Sequence, residues 1–263
     1  MLDDLKIIEF SVPNATEGIR IYPLADLHIG DEKTQLKEFY KFKEKVLADP
    51  FAYIVLNGDL MNNALKNSIS NVYNDTMRPA DQKKWVAKEL EDLRDRIICA
   101  ASGNHENRSK KDVDDDPTYD IMCKLDIEER YRPIACFVYL RIGNYWKSRK
   151  NRPVPYTMLV QHGVRGGTTA MMNHVKYVNN YEGIDLSIFG HSHAPEQKPT
   201  SKLMFDVQNR QITQRNCLTV IATAWQEYGG YGQQKQLSPA PICPQVIELS
   251  GTTKSMNISS KIF

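Results

Sequence analysis

Residues 96–106 read Arg96-Ile97-Ile98-Cys99-Ala100-Ala101-Ser102-Gly103-Asn104-His105-Glu106. An apolar run of strand length gives way at Gly103 to side chains that can bind a metal or move a proton. The same sequence grammar recurs four times. Residues 19–25 run into Asp26-Leu27-His28, 52–56 into Gly58-Asp59, 155–160 into His162-Gly163, and 186–189 into Gly190-His191-Ser192-His193. Between the first two, residues 32–47 carry helical spacing and stop at Asp49-Pro50. Strand-length apolar runs alternating with helical stretches predict a layered α/β domain. In open α/β sheets, sites form where loops leave the carboxyl ends of strands. Five such ends side by side would aim five sets of polar groups at one place. Each motif alone is weak, because Asp or Asn after a strand is an ordinary turn former. Their combination is specific: the chain has six histidines, and five of them fall inside these motifs.

The remaining composition sets bounds. At 263 residues the chain can bury a full core, and one domain over 1–263 is expected. Apolar residues make up 41% and charged residues 25%, as in soluble globular proteins. A net charge of +2 argues for no polyanionic partner and excludes none, since a local patch is compatible with it. The five cysteines are scattered and odd in number, which suits reduced thiols better than a disulfide frame. The first residues, Met1-Leu2-Asp3-Asp4-Leu5-Lys6, lack a basic start and a long apolar stretch. No segment approaches the roughly 20 apolar residues of a membrane span. The expectation is a cytoplasmic protein with no membrane partner.

In order and composition the five motifs resemble those of the calcineurin-like metallophosphoesterase superfamily, from about Ile19 to His193. The resemblance implies an α/β fold of two packed β-sheets flanked by helices, with a centre for two divalent metal ions. It assigns Asp26, His28 and His193 to one ion, Asn104, His162 and His191 to the other, and Asp59 to a bridge between them. Asp, His and Asn donors without cysteine suit manganese first, with iron, zinc, nickel or magnesium as alternatives. Two ions held about 3.5–4 Å apart by a bridging carboxylate acidify a shared water and clamp phosphate oxygens. The strand-like segments 203–207, 217–223 and 246–249 look antiparallel and suited to completing a second sheet.

By the same resemblance His105 is a histidine that binds no metal and serves the leaving oxygen or the phosphate; a plain loop histidine is the alternative. Glu106 either supports a ligand or anchors its loop. Arg108 either reaches a substrate phosphate with its planar fork or is a solvated loop residue. One departure bears on the substrate. Ser/Thr protein phosphatases continue their Gly-Asp motif to a second Asp three residues on, then Arg-Gly. Here Gly58-Asp59-Leu60-Met61-Asn62-Asn63 places Asn62 there and lacks the Arg. A neutral Asn can position a histidine or a substrate oxygen but cannot raise the histidine's basicity by charge. That favours a phosphodiesterase.

The other polar features have plainer readings. His174 belongs to no motif, lies on a predicted helix over 169–178, and is expected to be structural. Asp116 before Pro117 has the form of a helix N-cap. The basic run 147–152 is expected at a hairpin tip, either solvent-facing or a handle for nucleic acid. Residues 225–236 mix Trp225, Tyr228 and Tyr231 with three glycines, either an ordinary loop folded onto the core or a surface on which Tyr228 or Tyr231 contacts substrate.

The expected activity is dinuclear-metal-dependent hydrolysis of phosphodiesters, with a nuclease or nucleic-acid phosphodiesterase first. A cyclic-nucleotide or small-molecule phosphodiesterase and a phosphomonoesterase are the alternatives. The chain also resembles calcineurin-like proteins encoded by bacteriophages of Gram-positive bacteria, an association that favours nucleic acid. The rival from another class is a non-catalytic interaction module on the same scaffold. Scaffold members have lost ligands or the catalytic histidine, and here every position is occupied. The oligomeric state is not legible in the sequence.

Overall fold

The computed structural model describes residues 5–66, 68, 72–143, 152–164, 166–167, 169–229, 233 and 238–260. In chain order its strands are β1 (Ile8–Val12), β2 (Ile19–Leu24), β3 (Ala52–Asn57), β4 (Ile97–Ala101), β5 (Tyr131–Arg132) and β6 (Ala135–Ile142). They continue with β7 (Val154–Gln161), β8 (Leu186–Phe189), β9 (Glu196–Asp206), β10 (Gln211–Ile221), β11 (Gln245–Leu249) and β12 (Met256–Ser260). The helices are α1 (Leu36–Ala48), α2 (Pro79–Leu90), α3 (Glu106–Val113), α4 (Pro117–Lys124) and α5 (Ala170–Val178).

Two six-stranded sheets form, in the orders β1-β6-β7-β8-β10-β9 and β12-β11-β2-β3-β4-β5. Their central pairs, β2–β3, β3–β4, β7–β8 and β8–β10, are parallel. Parallel strands covered on both faces read as unbroken apolar runs, and all five residues of β4 are buried. Between the sheets Ile21, Val55 and Ile98 meet Val138, Met158, Val160 and Ile188. On the outside of the second sheet, Phe39, Phe42 and Val46 of α1 form one helical stripe and pack with Trp225 over Ile54 and Leu56. α5 covers the other sheet, packing Met171 and Val175 with Phe189 of β8. Asp116 caps α4 by accepting from the Tyr119 N–H at 3.1 Å, with Pro117 in the first turn.

Helix α1 begins at Leu36 rather than near 32, because the preceding residues are held by other contacts. The Thr34 hydroxyl donates to the His28 carbonyl at 2.7 Å, and the Gln35 N–H donates to the Trp225 carbonyl at 2.8 Å. The tail completes both sheets instead of one. β9 and β10 make an antiparallel hairpin that joins the first sheet through β8, while β11 and β12 extend the second beside β2. Strands β1, β5 and β12 and helices α2 and α3 were not anticipated, and β6 was implied only, without bounds, as the arm before the basic run. Of the basic run only Arg152 lies within the described residues; β6 and β7 on either side pair antiparallel. Among the described residues no helix is long and apolar enough to cross a membrane.

Candidate metal centre

The parallel strands of the two sheets deliver the five motifs to one end of the sandwich. Asp26 and His28 follow β2, Asp59 follows β3, Asn104 follows β4, His162 follows β7, and His191 and His193 follow β8. Five of these seven residues have left-handed backbone: Asp26 (φ 52°), His28 (50°), Asp59 (51°), His191 (67°) and His193 (58°). Asp and His tolerate that region better than most residues, yet each instance costs energy and such strain collects at functional sites. Two glycines make the crowding possible. A Cβ on Gly58 would lie 2.5 Å from the Gly103 nitrogen, and one on Gly103 would lie 2.1 Å from Asp59 Oδ1.

Asp59 sits at the middle, 1% exposed. Its Oδ1 accepts the His105 N–H at 2.8 Å, which leaves Oδ2 facing His162 Nε2 at 3.1 Å, His105 Nε2 at 3.8 Å and His28 Nε2 at 4.0 Å. On one side, Asp26 Oδ1 is 3.3 Å from His193 Nε2, and the His28 and His193 Nε2 atoms are 3.2 Å apart. On the other, Asn104 Oδ1 lies 2.7 Å from His191 Nδ1 and 3.0 Å from His162 Nε2, and those two nitrogens are 3.3 Å apart. Three overlapping triads result: Asp26–His28–His193, His28–Asp59–His105 and Asp59–His162–His191, each with ligand atoms within 4.8 Å.

This donor set fits two cations. A proton shared between two imidazole nitrogens at 3.2–3.3 Å joins those two atoms only and leaves the adjacent carboxylate or amide oxygen facing them unserved. A cation between them satisfies all. The pairs are also oriented from behind. The Asn57 carbonyl is 2.9 Å from His162 Nδ1, so that nitrogen carries the proton and Nε2 presents its lone pair inward. The Asp26 carboxylate accepts the His191 N–H at 2.9 Å. His28 Nδ1 is buried without a hydrogen-bond partner. In the bare cluster a second proton, on His162 Nε2 facing Asp59, takes the place of the cation. Burial would raise the Asp59 carboxyl, but His162 and His105 hold it well below its usual range. Burial would lower His162, yet Asp59 pushes it up to about 10, whereas burial and His105 push His28 well down.

His105 is oriented by the backbone. Its Nδ1 lies 2.7 Å from the Asn62 main-chain oxygen, which also accepts from Arg108 Nη1 at 3.0 Å. Arg108 Nη2 reaches His105 Nε2 at 3.0 Å. The Asn62 side chain points elsewhere, donating to Asp75 Oδ1 at 2.6 Å. So the sequence position that carries Asp in the protein phosphatases supplies a carbonyl here, and the amide braces a neighbouring loop.

Glu106 anchors its loop. Buried at 1%, it accepts the Asp59 and Gly103 N–H groups at 2.9 Å through Oε2 and the Met61 N–H at 3.1 Å through Oε1. It thereby ties the loop after β3 to the loop after β4. Burial, with Asp59 close by, pushes its carboxyl up to about 7. Two bracing residues escaped the sequence reading. Asn63 donates to the His105 carbonyl at 2.7 Å and to Ser109 Oγ at 2.9 Å. Gln82, fully buried, accepts the Asn63 N–H and donates to Asp75 Oδ2, both at 2.9 Å. The available signal was a polar residue on the apolar stripe of α2, four before Val86 and eight before Leu90. His174 is stacked on Phe189 at 4.1 Å and pushed down to about 4 by burial, outside the cluster. Tyr228 is 46% exposed, and the neighbouring Glu227 N–H donates to the Lys33 carbonyl at 3.0 Å. Tyr231 lies outside the described residues.

Two mixed sheets with a cluster of Asp, His and Asn at their strand ends define a metal-dependent phosphoesterase. The chain belongs to the calcineurin-like phosphoesterase family, whose model matches residues 19–195. Comparison with curated proteins finds no match. Among solved structures the chain is similar to vacuolar protein sorting 29 from Cryptosporidium parvum, with 12% identity over 94% of this chain and 99% of that one and a TM-score of 0.40. It is similar to the same protein from Chaetomium thermophilum, with 9% identity over 94% and 97% and a TM-score of 0.44. A predicted phosphoesterase from Streptococcus pneumoniae shows 11% identity over 92% and 98% and a TM-score of 0.38.

Proposed function

We propose that this chain, as a single cytoplasmic metallophosphoesterase domain over 1–263, hydrolyses phosphodiesters with two divalent ions, manganese favoured. Iron, zinc, nickel or magnesium are the alternatives. The observation that carries the reading is Asp59, whose Oδ2 faces His162 on one side and His28 on the other while its Oδ1 is taken by the His105 N–H. Asp26, His28 and His193 would hold one ion, and Asn104, His162 and His191 the other. When bound, the ions would withdraw charge from the phosphate and supply an acidified water.

The remaining work falls to the chain. With Nδ1 tied to the Asn62 carbonyl, His105 has only Nε2 with which to serve the leaving oxygen. Arg108, whose guanidinium donates to that same Nε2, would transfer its hydrogen bonds to a substrate phosphate. No carboxylate hydrogen-bonds the His105 ring among the described residues, which supports diesters over the protein-phosphatase pattern. A nucleic-acid substrate is preferred, then a cyclic nucleotide or small diester, then a monoester.

A substrate panel tests this: single- and double-stranded DNA, RNA, cyclic nucleotides, and mono- and bis-nitrophenyl phosphate, each with manganese and after chelation. Faster turnover of bis- than mono-nitrophenyl phosphate supports the diesterase reading, and the reverse overturns it. Turnover of nothing by fully metal-loaded protein would favour the interaction module.

A further inference from the structure

β9 closes one end of its sheet, and its ladder with β10 runs without a break from Glu196↔Ile221 to Asp206↔Gln211. At the base of this hairpin Leu218 and Val220 are buried between the sheets. The distal half outgrows the core. Leu203, Phe205, Val207 and Ile212 are 74%, 72%, 76% and 65% exposed. Phe205 stands opposite Ile212 and two residues from Leu203, so these three share a face. That face is the one that carries Leu218 into the core, since Leu218 opposes Pro199, four residues before Leu203. The apolar side of the sheet therefore continues past the place where the core ends. A long, regular edge with large apolar side chains is an element that pairs with another strand. Pro199 has no N–H to offer an incoming strand, which protects the basal half of the edge; residues 201–206 contain no proline.

We infer that β9 pairs antiparallel with β9 of a second copy of this chain, about a two-fold axis at Met204. The strand is self-complementary in that register. Leu203 faces Phe205 of the second copy and Lys202 faces its Asp206, and the two-fold repeats both pairs. Opposite charges meet on one face and large apolar groups on the other. A register centred on Lys202 would instead set Phe205 against Pro199 and lose a ladder bond. The pairing makes one continuous sheet with six strands from each copy. Both metal centres stay outside it, because their ligands lie on the loops after β2, β3, β4, β7 and β8.

Light scattering coupled to gel filtration, over a dilution series of the full chain, tests this with a charge swap. The wild type should be a dimer that dissociates on dilution. Lys202→Glu sets two acids opposite each other and Asp206→Lys sets two lysines opposite each other, so each alone should weaken the dimer about tenfold or more. An equimolar mixture of the two variants restores both pairs and should restore the dimer. A monomeric wild type, single variants that dimerise as well as wild type, or a mixture that stays monomeric would each overturn the inference. Asp206 also holds the following turn, accepting from Asn209 at 3.0 and 2.8 Å. Phe205→Asp, on the opposite face and clear of that turn, supplies an independent check and should give a monomer with wild-type turnover.

Discussion

The Asn62 main-chain oxygen lies 2.7 Å from Nδ1 of His105, and this contact sets the histidine's tautomer without any carboxylate. Because a backbone atom does the holding, the Asn62 side chain should be dispensable for it. His105→Asn is expected to lower turnover of the natural ester about 10²–10⁴-fold with metal content unchanged. Asn62→Ala should cost about tenfold or less, through its lost bond to Asp75. Asn62→Asp should be worse than Asn62→Ala, since it brings a second carboxylate against Asp75. Equal damage from Asn62→Ala and His105→Asn would show that the side chain, after all, serves the histidine.

Glu106 accepts three main-chain N–H groups from two loops of the candidate metal centre. Removing it orphans buried donors, each worth about 1–3 kcal/mol. Glu106→Ala should therefore shift the denaturant midpoint down in protein stripped of metal, where a lost ion cannot be the cause. Glu106→Gln, which keeps one acceptor oxygen, should fall between. An Ala variant as stable as wild type under those conditions would remove the brace.

Metal binding and Asp59 should be linked. Chelation is expected to abolish turnover, with manganese restoring it better than magnesium because imidazole suits the softer ion. Asp59→Asn loses the charge shared between the two halves of the cluster, so both metal stoichiometry and rate should fall. Elemental analysis beside a rate assay reads both. An Asp59→Asn protein with full activity after chelation would end the two-metal account.

What the sequence shows and what it hides follow from the range of each interaction. The five motifs are legible because strand, turn and ligand are contiguous, as in Ile97 to Asn104. The N-cap at Asp116 is legible for the same reason. The orientation of His105 is not, since its partner oxygen lies 43 residues away and belongs to a backbone shared by all residue types. Glu106 is adjacent to His105 in sequence, yet its bonds to Asp59 and Met61 exist only once β3 and β4 lie side by side. Strand β6 alternates Phe137, Tyr139 and Arg141, half-buried, with buried Val138, Leu140 and Ile142, so its aromatic outer face blurs the apolar–polar alternation that marks a half-buried strand.

Away from the centre, the Arg20 guanidinium pairs with Asp49 and holds its carboxyl below the usual carboxylate range. The folded pKa is the lower one, so the contribution is present above the unfolded value and lost as pH falls through the folded one. Wild type should be more stable than Asp49→Asn near neutrality, and the gap should narrow as pH falls below the ordinary carboxylate range of about 4 and on through the lower folded value. Denaturant midpoints of the two proteins across that range check it. A gap constant with pH would assign the effect to the neutral hydrogen bonds of the turn, where Asp49 also accepts the Phe51 N–H at 2.9 Å.

Tyr228 offers a test of the proposed nucleotide substrate. The segment that carries it is strapped to the loop beyond His28: Gln226 bridges to Thr34, and the Glu227 N–H donates to the Lys33 carbonyl. The same loop holds His28 through the Thr34 hydroxyl on its carbonyl. Trp225, by contrast, is buried against Phe42 at 5.0 Å and belongs to the core. If a substrate base stacks on this exposed tyrosine, the contact should be worth about 1–3 kcal/mol. Tyr228→Ala should therefore raise KM for a nucleotide diester about 5–150-fold and leave a bis-nitrophenyl ester nearly unchanged. Adding Tyr231→Ala should deepen the effect if that residue shares the platform. Equal losses on both substrates, or a fall in melting temperature that accounts for them, would place Tyr228 with Trp225 as packing.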